Sequence, residues 1–301
     1  MRVASIFTYP VKGCRRMDRD TAMVEPWGLE GDRRWLIVDE DGLGLSQHQH
    51  RELVTMRAVS RSGRLTLDAP GLATLDLAEP TDGEATEVQV YRQRPPAPVR
   101  AASPKADAWL KRLLGRTARL VWLDNPAASL VPWPVPAGSG AEVSFADGTP
   151  LLLANTASLD AFNDWLAVSD DPERPLPMIQ FRPNVVVSGA TPWAEAEWVG
   201  RRIRIGGAVF HGVGECARCA VATIDQDTGQ QGREPLRTLA KRRNVDQKLL
   251  FGLQLTVRPE PGGRSPRIVR SASVTSWRCW TDPLGQSSCL WYRLDRAEGS
   301  P

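Results

Sequence analysis

The sequence predicts an α+β fold made mostly of antiparallel strands, and three observations support this class. Short alternating or apolar runs bounded by turn-forming residues dominate the first third of the chain and recur in the second half. Only three segments are predicted as helices. A stretch rich in proline, glycine, alanine and serine, residues 126–148, separates the two halves, and 301 residues are enough for two domains.

The first half contains one predicted helix among its strands. Ser103 can cap its N-terminus, Pro104 suits the first helical position and Gly115 suits the C-terminal end, which predicts a helix over residues 104–114. Turn signals such as Asp41-Gly42 separate the strands. The predicted strands are residues 2–8, 34–39, 65–68, 86–91 and 119–122.

The second half has two predicted helices, near residues 157–166 and 235–242. Thr156 is expected to cap the first of them. Four apolar side chains of that segment share one helical face, which favours a helix there: Leu159, Phe162, Trp165 and Leu166. Residues 261–301 carry three tryptophans and two cysteines without helix or strand periodicity, so we expect an irregular tail. Two alternatives stay open for it: disorder, or docking of its tryptophans onto the main body. The predicted strands are residues 150–154, 184–188, 201–205, 208–213 and 253–258.

Charge and hydropathy narrow the range of partners. The 38 basic and 35 acidic residues give a net charge of +3, which is too balanced to indicate binding to nucleic acid or to a membrane surface. No apolar run approaches the ~20 residues of a membrane span, and the N-terminus has no signal-peptide pattern, so we expect a cytoplasmic protein without membrane contact. Five cysteines, an odd number in a long chain, predict reduced thiols rather than a disulfide framework.

The segment Cys216-Ala217-Arg218-Cys219 has the clearest chemistry. A thiolate is a soft metal ligand, and the cation of Arg218 stabilises its charged form. Two interpretations stay open: a metal or redox role, or two half-buried cysteines at a strand end. The single CxxC pair, without a second pair or an HxxxH motif, disfavours zinc. The β-prone run at residues 220–224 argues against a thioredoxin-type dithiol, which needs a helix there.

Three distant segments place a cation near a predicted strand end, at Lys12, Arg33 and Arg182. Such side chains are usually solvated. If the fold brings them together, they would form an anion pocket, because arginine forks match phosphate oxygens. The sequence leaves both possibilities open.

In their order and spacing, these segments resemble MOSC-domain proteins of the two-part type, to which the amidoxime-reducing components belong. The resemblance covers residues 1–258. It implies an N-terminal β-barrel domain at residues 1–124, a linker at 125–148, a MOSC β-barrel domain at 149–260 and an atypical tail at 261–301. The motifs are Tyr9-Pro10-Val11-Lys12, Gly31-Asp32-Arg33, Phe145-Ala146-Asp147-Gly148, Phe181-Arg182-Pro183-Asn184, and Cys216-x-Arg218-Cys219 followed by Asp225-x-Asp227-Thr228-Gly229.

The resemblance implies a molybdenum cofactor, in which a phosphorylated pyranopterin dithiolene holds the metal. It makes Cys219 the metal ligand and a catalytic residue, and Asp225 is a second catalytic candidate, for proton delivery. Gly13 departs from the family, which often has serine at this position. The implied cofactor-binding residues are Lys12, Gly13, Arg33, Arg182, Asn184, Ala217 and Arg218.

The implied activity is reduction of N-hydroxylated small molecules, such as hydroxylamines, amidoximes and N-hydroxylated bases. Electrons are expected from a separate donor protein with flavin, haem or iron–sulfur, because Cys279 and Cys289 cannot by themselves ligate a cluster. One alternative is a sulfur carrier or molybdenum-cofactor-binding protein without reductase turnover. Another is a non-catalytic domain with structural cysteines and a partner-binding tail. Pyridoxal phosphate, associated with the family through a separate domain of the sulfurases, is not expected, since this chain has no room for that domain.

Overall fold

The computed structural model describes residues 1–138, 140–169, 174–258 and 268–270, together with the backbone of residues 275–281 and 287–293. Its described residues form twenty strands and three α-helices, which confirms the predicted α+β class with mostly antiparallel strands. The helices are α1 (Pro104–Leu114), α2 (Thr156–Ala167) and α3 (Leu236–Arg242). The strands are β1 (Arg2–Thr8), β2 (Met17–Arg19), β3 (Thr21–Glu25), β4 (Gly28–Leu29), β5 (Trp35–Val38), β6 (Arg57–Arg61), β7 (Arg64–Asp68), β8 (Leu75–Ala78), β9 (Ala85–Val88), β10 (Ala97–Ala101), β11 (Arg119–Trp122), β12 (Leu151–Asn155), β13 (Val185–Ser188), β14 (Arg202–Ile205), β15 (Ala208–Ala217), β16 (Asn244–Val245), β17 (Lys248–Val257), β18 (Ile268–Arg270), β19 (Thr275–Thr281) and β20 (Ser287–Arg293).

The largest sheet has ten strands in the order β19-β20-β14-β15-β17-β12-β13-β1-β2, with β16 paired to β17. Its pairs are antiparallel except β12–β13 and β14–β20, which are parallel. Strand β1, the first of the chain, pairs with β13 of the second half. The smaller sheets are β5-β11-β10-β9, β18-β3-β4 and β6-β7-β8. Among the described residues, none of these sheets closes into the barrel that the resemblance implies.

The large sheet buries different side chains on its two faces, because successive side chains of a strand point to opposite sides. One face carries an aliphatic core that includes Leu151 and Leu153. The other face is covered around Phe181 and Phe251, whose stacked rings have centroids 3.6 Å apart. Phe181 immediately precedes Arg182, so this aromatic core supports one of the three cations singled out in the sequence.

The helices largely follow their end signals. The side chain of Ser103 accepts a hydrogen bond from the backbone N–H of Ala106, and Gly115 ends α1 at φ 66°, as predicted. The predicted cap of α2 is wrong by one residue. Asn155 is the cap, because its side-chain oxygen accepts from the N–H of Ala157 at 3.2 Å. No helix of the described residues is both long and apolar enough to cross a membrane.

Several strand predictions need correction. Strand β17 begins five residues before the predicted start at 253, and β15 continues through Cys216 because it pairs with β17 along its length. The β-prone run after Cys219 is a 3-10 helix, Ala220–Thr223, in which the N–H of Ala222 returns to the carbonyl oxygen of Cys219. Short strands such as β2, β4 and β8 were missed, because two to four residues show no periodicity.

The tail contains regular structure that its sequence pattern did not predict. Strand β18 pairs with β3, and β19 forms an antiparallel pair with β20 that joins the large sheet through β14. The expectation of a wholly irregular tail is therefore wrong for these three strands. For residues 259–267, 271–274, 282–286 and 294–301 that expectation lies outside the described residues.

Candidate functional site

Lys12 is held by the segment that joins the two halves of the chain. Its ammonium group donates a hydrogen bond to the carbonyl oxygen of Phe145 at 2.9 Å and forms an ion pair with Asp147. Burial lowers the pKa of Lys12, an effect that the carboxylate of Asp147 opposes. Desolvation acts to raise the pKa of Asp147, but Lys12 and two neighbouring arginines hold it below its usual range. The predicted linker therefore contributes directly to the surroundings of Lys12.

Two guanidinium groups pack on the ring of Tyr9. Arg182 lies 4.2 Å and Arg33 4.6 Å from the ring centroid, within the range of cation–π attraction. The Tyr9 hydroxyl donates to the carbonyl oxygen of Pro183 at 3.1 Å. Burial raises the pKa of Tyr9 to about 12 although both arginines oppose the shift. Tyr9 therefore stays neutral at physiological pH, and it fixes two arginines of distant segments next to each other.

Asp32 is the buried carboxylate that balances Arg33. It accepts from the backbone N–H of Tyr9 at 2.7 Å and from the Arg33 guanidinium at 2.5 Å, and its side chain is only 1% exposed. Arg33 also donates to Oδ1 of Asn184 at 3.1 Å. Desolvation raises the pKa of Asp32 against the effect of Arg33. Desolvation also disfavours the charge of Arg33, yet Asp32 holds the pKa of that guanidinium above its usual value.

Arg33 and Arg182 share an uncommon backbone conformation. Their φ angles are 48° and 52°, in the left-handed region that residues with a side chain rarely adopt. Conformations of this kind are unfavourable and concentrate at binding and catalytic sites. Gly13, at φ 80°, has no side chain that this conformation would strain. The backbone therefore gives an independent reason to regard both arginine positions as functional.

Strand β15 brings the cysteine segment to the same region. The guanidinium of Arg218 donates to the carbonyl oxygen of Phe181 at 2.8 Å and to Sγ of Cys216 at 3.0 Å. Its Nε is buried and has no hydrogen-bond partner among the described residues. Ala217, which lies between Cys216 and Arg218 in the chain, is exposed and pairs with Leu250 of β17. Arg218 is thus joined to the residue before Arg182.

Cys219 is the accessible thiol among the three cysteines whose side chains are described. It is exposed at the start of the 3-10 helix. Cys216 is partly buried, with the amide of Gln254 3.9 Å from its sulfur. Cys14 is buried, and desolvation raises the pKa of its thiol. Cys219 is therefore the most exposed of the three described cysteines.

The turn that follows the cysteine segment connects it to both Arg182 and the first half of the chain. Oε1 of Gln226 accepts from Arg182 at 2.7 Å and from Nε2 of Gln47 at 3.2 Å. Arg15 forms an ion pair with Asp227. The contacts with Gln47 and Arg15 hold the turn against residues that precede it by more than 170 positions.

Asp225 builds this turn. One of its carboxylate oxygens accepts from the backbone N–H groups of Asp227 and Thr228 at 2.9 and 2.8 Å, and the other pairs with Arg174. Both oxygens are therefore occupied. The catalytic role of Asp225 stays a prediction, and the structure adds a turn-forming role to it.

Asp225→Asn is expected to keep the fold. It should lose the part of the folding stability that the parent protein has at neutral pH and loses when Asp225 is protonated in acid. Desolvation opposes the shift, but the backbone N–H groups of Thr228 and Asp227 hold the pKa of Asp225 below its usual value. A lowered folded-state pKa gives stability that is present above the unfolded pKa of about 3.9 and is lost as the pH falls below it. Thermal melting at a series of pH values should show a steeper acid loss in the parent protein than in Asp225→Asn. Equal pH profiles for the two proteins would contradict the claim that the ionised carboxylate of Asp225 stabilises the turn.

The structure brings together the three cations whose placement the sequence left open. The carboxylate of Asp147 interacts electrostatically with Lys12, Arg33 and Arg182. Arg218 joins this cluster through Phe181, and Asn184 joins it through Arg33. Three residues that hold the cluster together were given no role from the sequence: Tyr9, Asp147 and Gln226. For Tyr9 and Asp147, the only signal in the sequence was their position in a family motif.

The cluster carries more positive than negative charge. Its cations are Lys12, Arg33, Arg182 and Arg218, and the carboxylates bonded to them are those of Asp32 and Asp147. In the part of the chain that the structure describes, Arg182 and Arg218 donate hydrogen bonds to an amide oxygen, a backbone carbonyl and a cysteine sulfur, and to no carboxylate. An anionic ligand therefore fits these residues, and the exposed sulfur of Cys219 adds a soft donor for a metal that such a ligand carries. The fold and the cluster together define a mostly β protein with an exposed thiol beside a group of cations, a candidate anion site.

Comparison with known proteins shows the family to which this chain belongs. The family model described as MOSC N-terminal beta barrel domain matches residues 1–117, and the MOSC domain model matches residues 140–270. Mitochondrial amidoxime-reducing component 1 of Mus musculus is 31% identical over 263 residues, which cover 83% of this chain and 74% of that protein. The chain therefore belongs to the MOSC-domain family of the two-part type, which confirms the resemblance stated from its motifs.

Relatives of two kinds occur in this family. The Homo sapiens amidoxime-reducing component 1 is 28% identical over 262 residues, covering 83% of this chain and 75% of the relative. Molybdenum cofactor sulfurase of Oryza sativa subsp. japonica is 31% identical over 271 residues, covering 85% of this chain. The chain spans only 32% of that sulfurase. The two kinds of relative are equally similar in sequence but differ in how much of their length this chain represents.

Proposed function

We propose that this protein binds the molybdenum cofactor and reduces N-hydroxylated compounds, with Cys219 as the protein ligand of the metal. The observation that carries the proposal is the exposed thiol of Cys219 beside Arg218, whose guanidinium is bonded to the residue before Arg182. The amidoxime-reducing relatives support the reaction, since this chain covers about three quarters of their length.

The cations of the cluster would hold the anionic groups of the cofactor. Arginine forks bind phosphate oxygens through two parallel hydrogen bonds. Arg182 and Arg218 are the residues proposed for this task, because neither guanidinium is hydrogen-bonded to a carboxylate among the described residues. Lys12 and Arg33 are each paired with an acid and would orient the ligand from the side of the first half. Asn184, bonded to Arg33, fixes that side chain.

When bound, the cofactor supplies a redox centre for the two-electron cleavage of a nitrogen–oxygen bond. In the overall reaction the substrate takes two electrons and two protons, the N–O bond breaks, and water leaves with the parent amine or amidine. Cys219 contributes a soft thiolate donor. The low pKa of Asp225 suits it to shaping the turn more than to donating a proton at neutral pH. Electrons come from a separate donor protein.

The test is to produce the chain in a host that makes the cofactor and to measure molybdenum and turnover together. Elemental analysis should find stoichiometric molybdenum in the purified protein. With a reduced viologen dye as electron source, benzamidoxime should be converted to benzamidine, whereas NAD(P)H alone should give no turnover. A protein without molybdenum, or one that holds molybdenum but leaves benzamidoxime intact, would remove the proposal.

A second function is supported by the sulfurase relative, which is as similar in sequence as the mouse amidoxime-reducing component. In that case the protein would hold the cofactor, or carry a persulfide on Cys219, without reducing N-hydroxylated substrates. Mass spectrometry of the intact chain would detect the additional sulfur, and the Cys219 peptide would locate it. A persulfide together with absent benzamidoxime reduction selects this function over the first.

A further inference from the structure

Trp133 is an exposed indole in the segment that also holds Lys12. It is 39% exposed and lies between Pro132 and Pro134. Within the described ranges, its ring stacks on no aromatic side chain or guanidinium and belongs to none of the hydrophobic clusters. A tryptophan buries a large apolar area when it finds a partner, and rings of this kind recur where a flat ligand binds. The exposed part of the ring is therefore available to a ligand.

The position of the ring is given by Gly148. A Cβ atom added to Gly148 would lie 2.6 Å from Cη2 and 3.1 Å from Cζ2 of Trp133, so the indole edge rests directly on this glycine. The same Cβ would lie 2.9 Å from Nε2 of Gln254, which makes this amide a neighbour of the ring. Glycine is required at position 148 because any side chain would displace the indole.

These neighbours join Trp133 to the cation cluster from two sides. Gly148 follows Asp147, the partner of Lys12. Nε2 of Gln254 lies 3.9 Å from Sγ of Cys216, which accepts a hydrogen bond from Arg218. Through Gly148 and Gln254, the indole is therefore one residue removed from the partners of Lys12 and Arg218.

The segment around Trp133 is anchored in a way that fixes the ring before any ligand arrives. The N–H of Val131 donates to the carbonyl oxygen of Ala141 at 2.7 Å, and the N–H of Val143 donates to that of Ser129 at 2.9 Å. The side chains of Val131 and Val143 pack in one cluster with Ala146. Pro132 and Pro134 restrict the backbone on both sides of the indole. A ring held in this way loses little conformational freedom when a ligand binds.

We propose that Trp133 is the specificity-determining platform of the substrate site, and that its indole stacks on a planar conjugated N-hydroxylated compound, such as an aryl amidoxime or an N-hydroxylated nucleobase. The proposal rests on the proposed reductase function and names its substrate class. The charges of the cluster are taken by the anionic cofactor, so the substrate is recognised through its flat apolar surface beside them. A small non-planar substrate such as hydroxylamine gains nothing from the indole.

The test compares benzamidoxime with hydroxylamine in Trp133→Ala. Stacking of a ring on an aromatic side chain contributes about a factor of ten in affinity, so the ratio of kcat/KM for benzamidoxime to that for hydroxylamine should fall about tenfold. The change should appear mainly in KM for benzamidoxime. Trp133→Phe should restore most of the ratio, and Gly148→Ala should lower it, because the added methyl displaces the ring. Leu130→Ala, which removes another exposed apolar side chain of the same segment, is the matched control and should keep the parent ratio.

Two further measurements separate this proposal from the reductase function. Molybdenum content should be the same in Trp133→Ala and the parent, and a loss of metal would show that the indole contacts the cofactor instead, which overturns the platform. Binding of benzamidoxime to the oxidised protein, followed by ligand-observed NMR without an electron source, should weaken in Trp133→Ala. Binding that depends on Trp133 without turnover would remove the reductase proposal and keep the platform. An unchanged ratio and unchanged binding would remove the platform alone.

Discussion

Cys219→Ser should lower the reduction of benzamidoxime by on the order of a hundredfold or more, because a hydroxyl cannot replace the thiolate as a soft metal ligand. The folded structure should survive. The side chain of Cys219 is exposed, and its described hydrogen bond runs through the backbone carbonyl that starts the 3-10 helix. The measurements are kcat with a viologen donor, molybdenum per chain, and the melting temperature, of which only the last should stay at the parent value.

Cys216→Ser is the matched control, since it makes the same chemical change three residues away. Cys216 is partly buried and contacts Arg218 and Gln254, so its loss should disturb the orientation of Arg218 and reduce activity less. If both serine variants lose activity equally, Cys219 is not singled out as the ligand. If Cys219→Ser retains the parent activity, the metal-ligand assignment fails.

Asp32→Ala should lower the free energy of unfolding by about 3–5 kcal/mol, the usual effect of removing one partner from a buried ion pair. The side chains of Asp32 and Arg33 are 1% and 13% exposed, so water cannot replace the lost carboxylate. The backbone N–H of Tyr9 would also lose its acceptor. Urea unfolding followed by tryptophan fluorescence measures the change, and the cofactor content should fall with it because Arg33 loses its orientation.

Asp18→Ala provides the comparison for a surface pair. Asp18 bonds to Arg16 at 3.4 Å, and its side chain is 68% exposed, so we expect a change of less than about 1 kcal/mol. A similar small change in Asp32→Ala would show that the buried pair does not hold the segment around Tyr9 and Arg33.

The elements that the sequence predicted correctly depend on local signals. Helix α1 has its cap, its proline and its terminal glycine within the thirteen residues from Ser103 to Gly115, and each acts on neighbouring backbone groups. The cap of α2 was missed because Asn155 and Thr156 both suit the position, and only the observed backbone shows which side chain reaches the N–H of Ala157. The longer course of β17 depends on pairing with β12 and β15, which no local pattern reveals.

The segments of the site were recognised from motifs, but their contacts were not. Strand β1 pairs with β13 so that Ile6 lies opposite Val185, and Tyr9 therefore meets Arg182 just before β13. This register joins residues 170 or more positions apart, and sequence spacing carries no information about it. The left-handed φ angles of Arg33 and Arg182 are equally hidden, because arginine has no preference for that conformation.

The pairing of β1 with β13 limits how this architecture can be recombined. The first two strands of the chain complete one side of the sheet to which the second half contributes β12, β13, β14, β15 and β17. An exchange of the front half between two such proteins would have to bring a first strand that pairs with β13 of the recipient, and the recipient would have to supply the acid that pairs with Lys12. We therefore expect the two family segments to fold as one cooperative unit, because neither half completes the large sheet without the other.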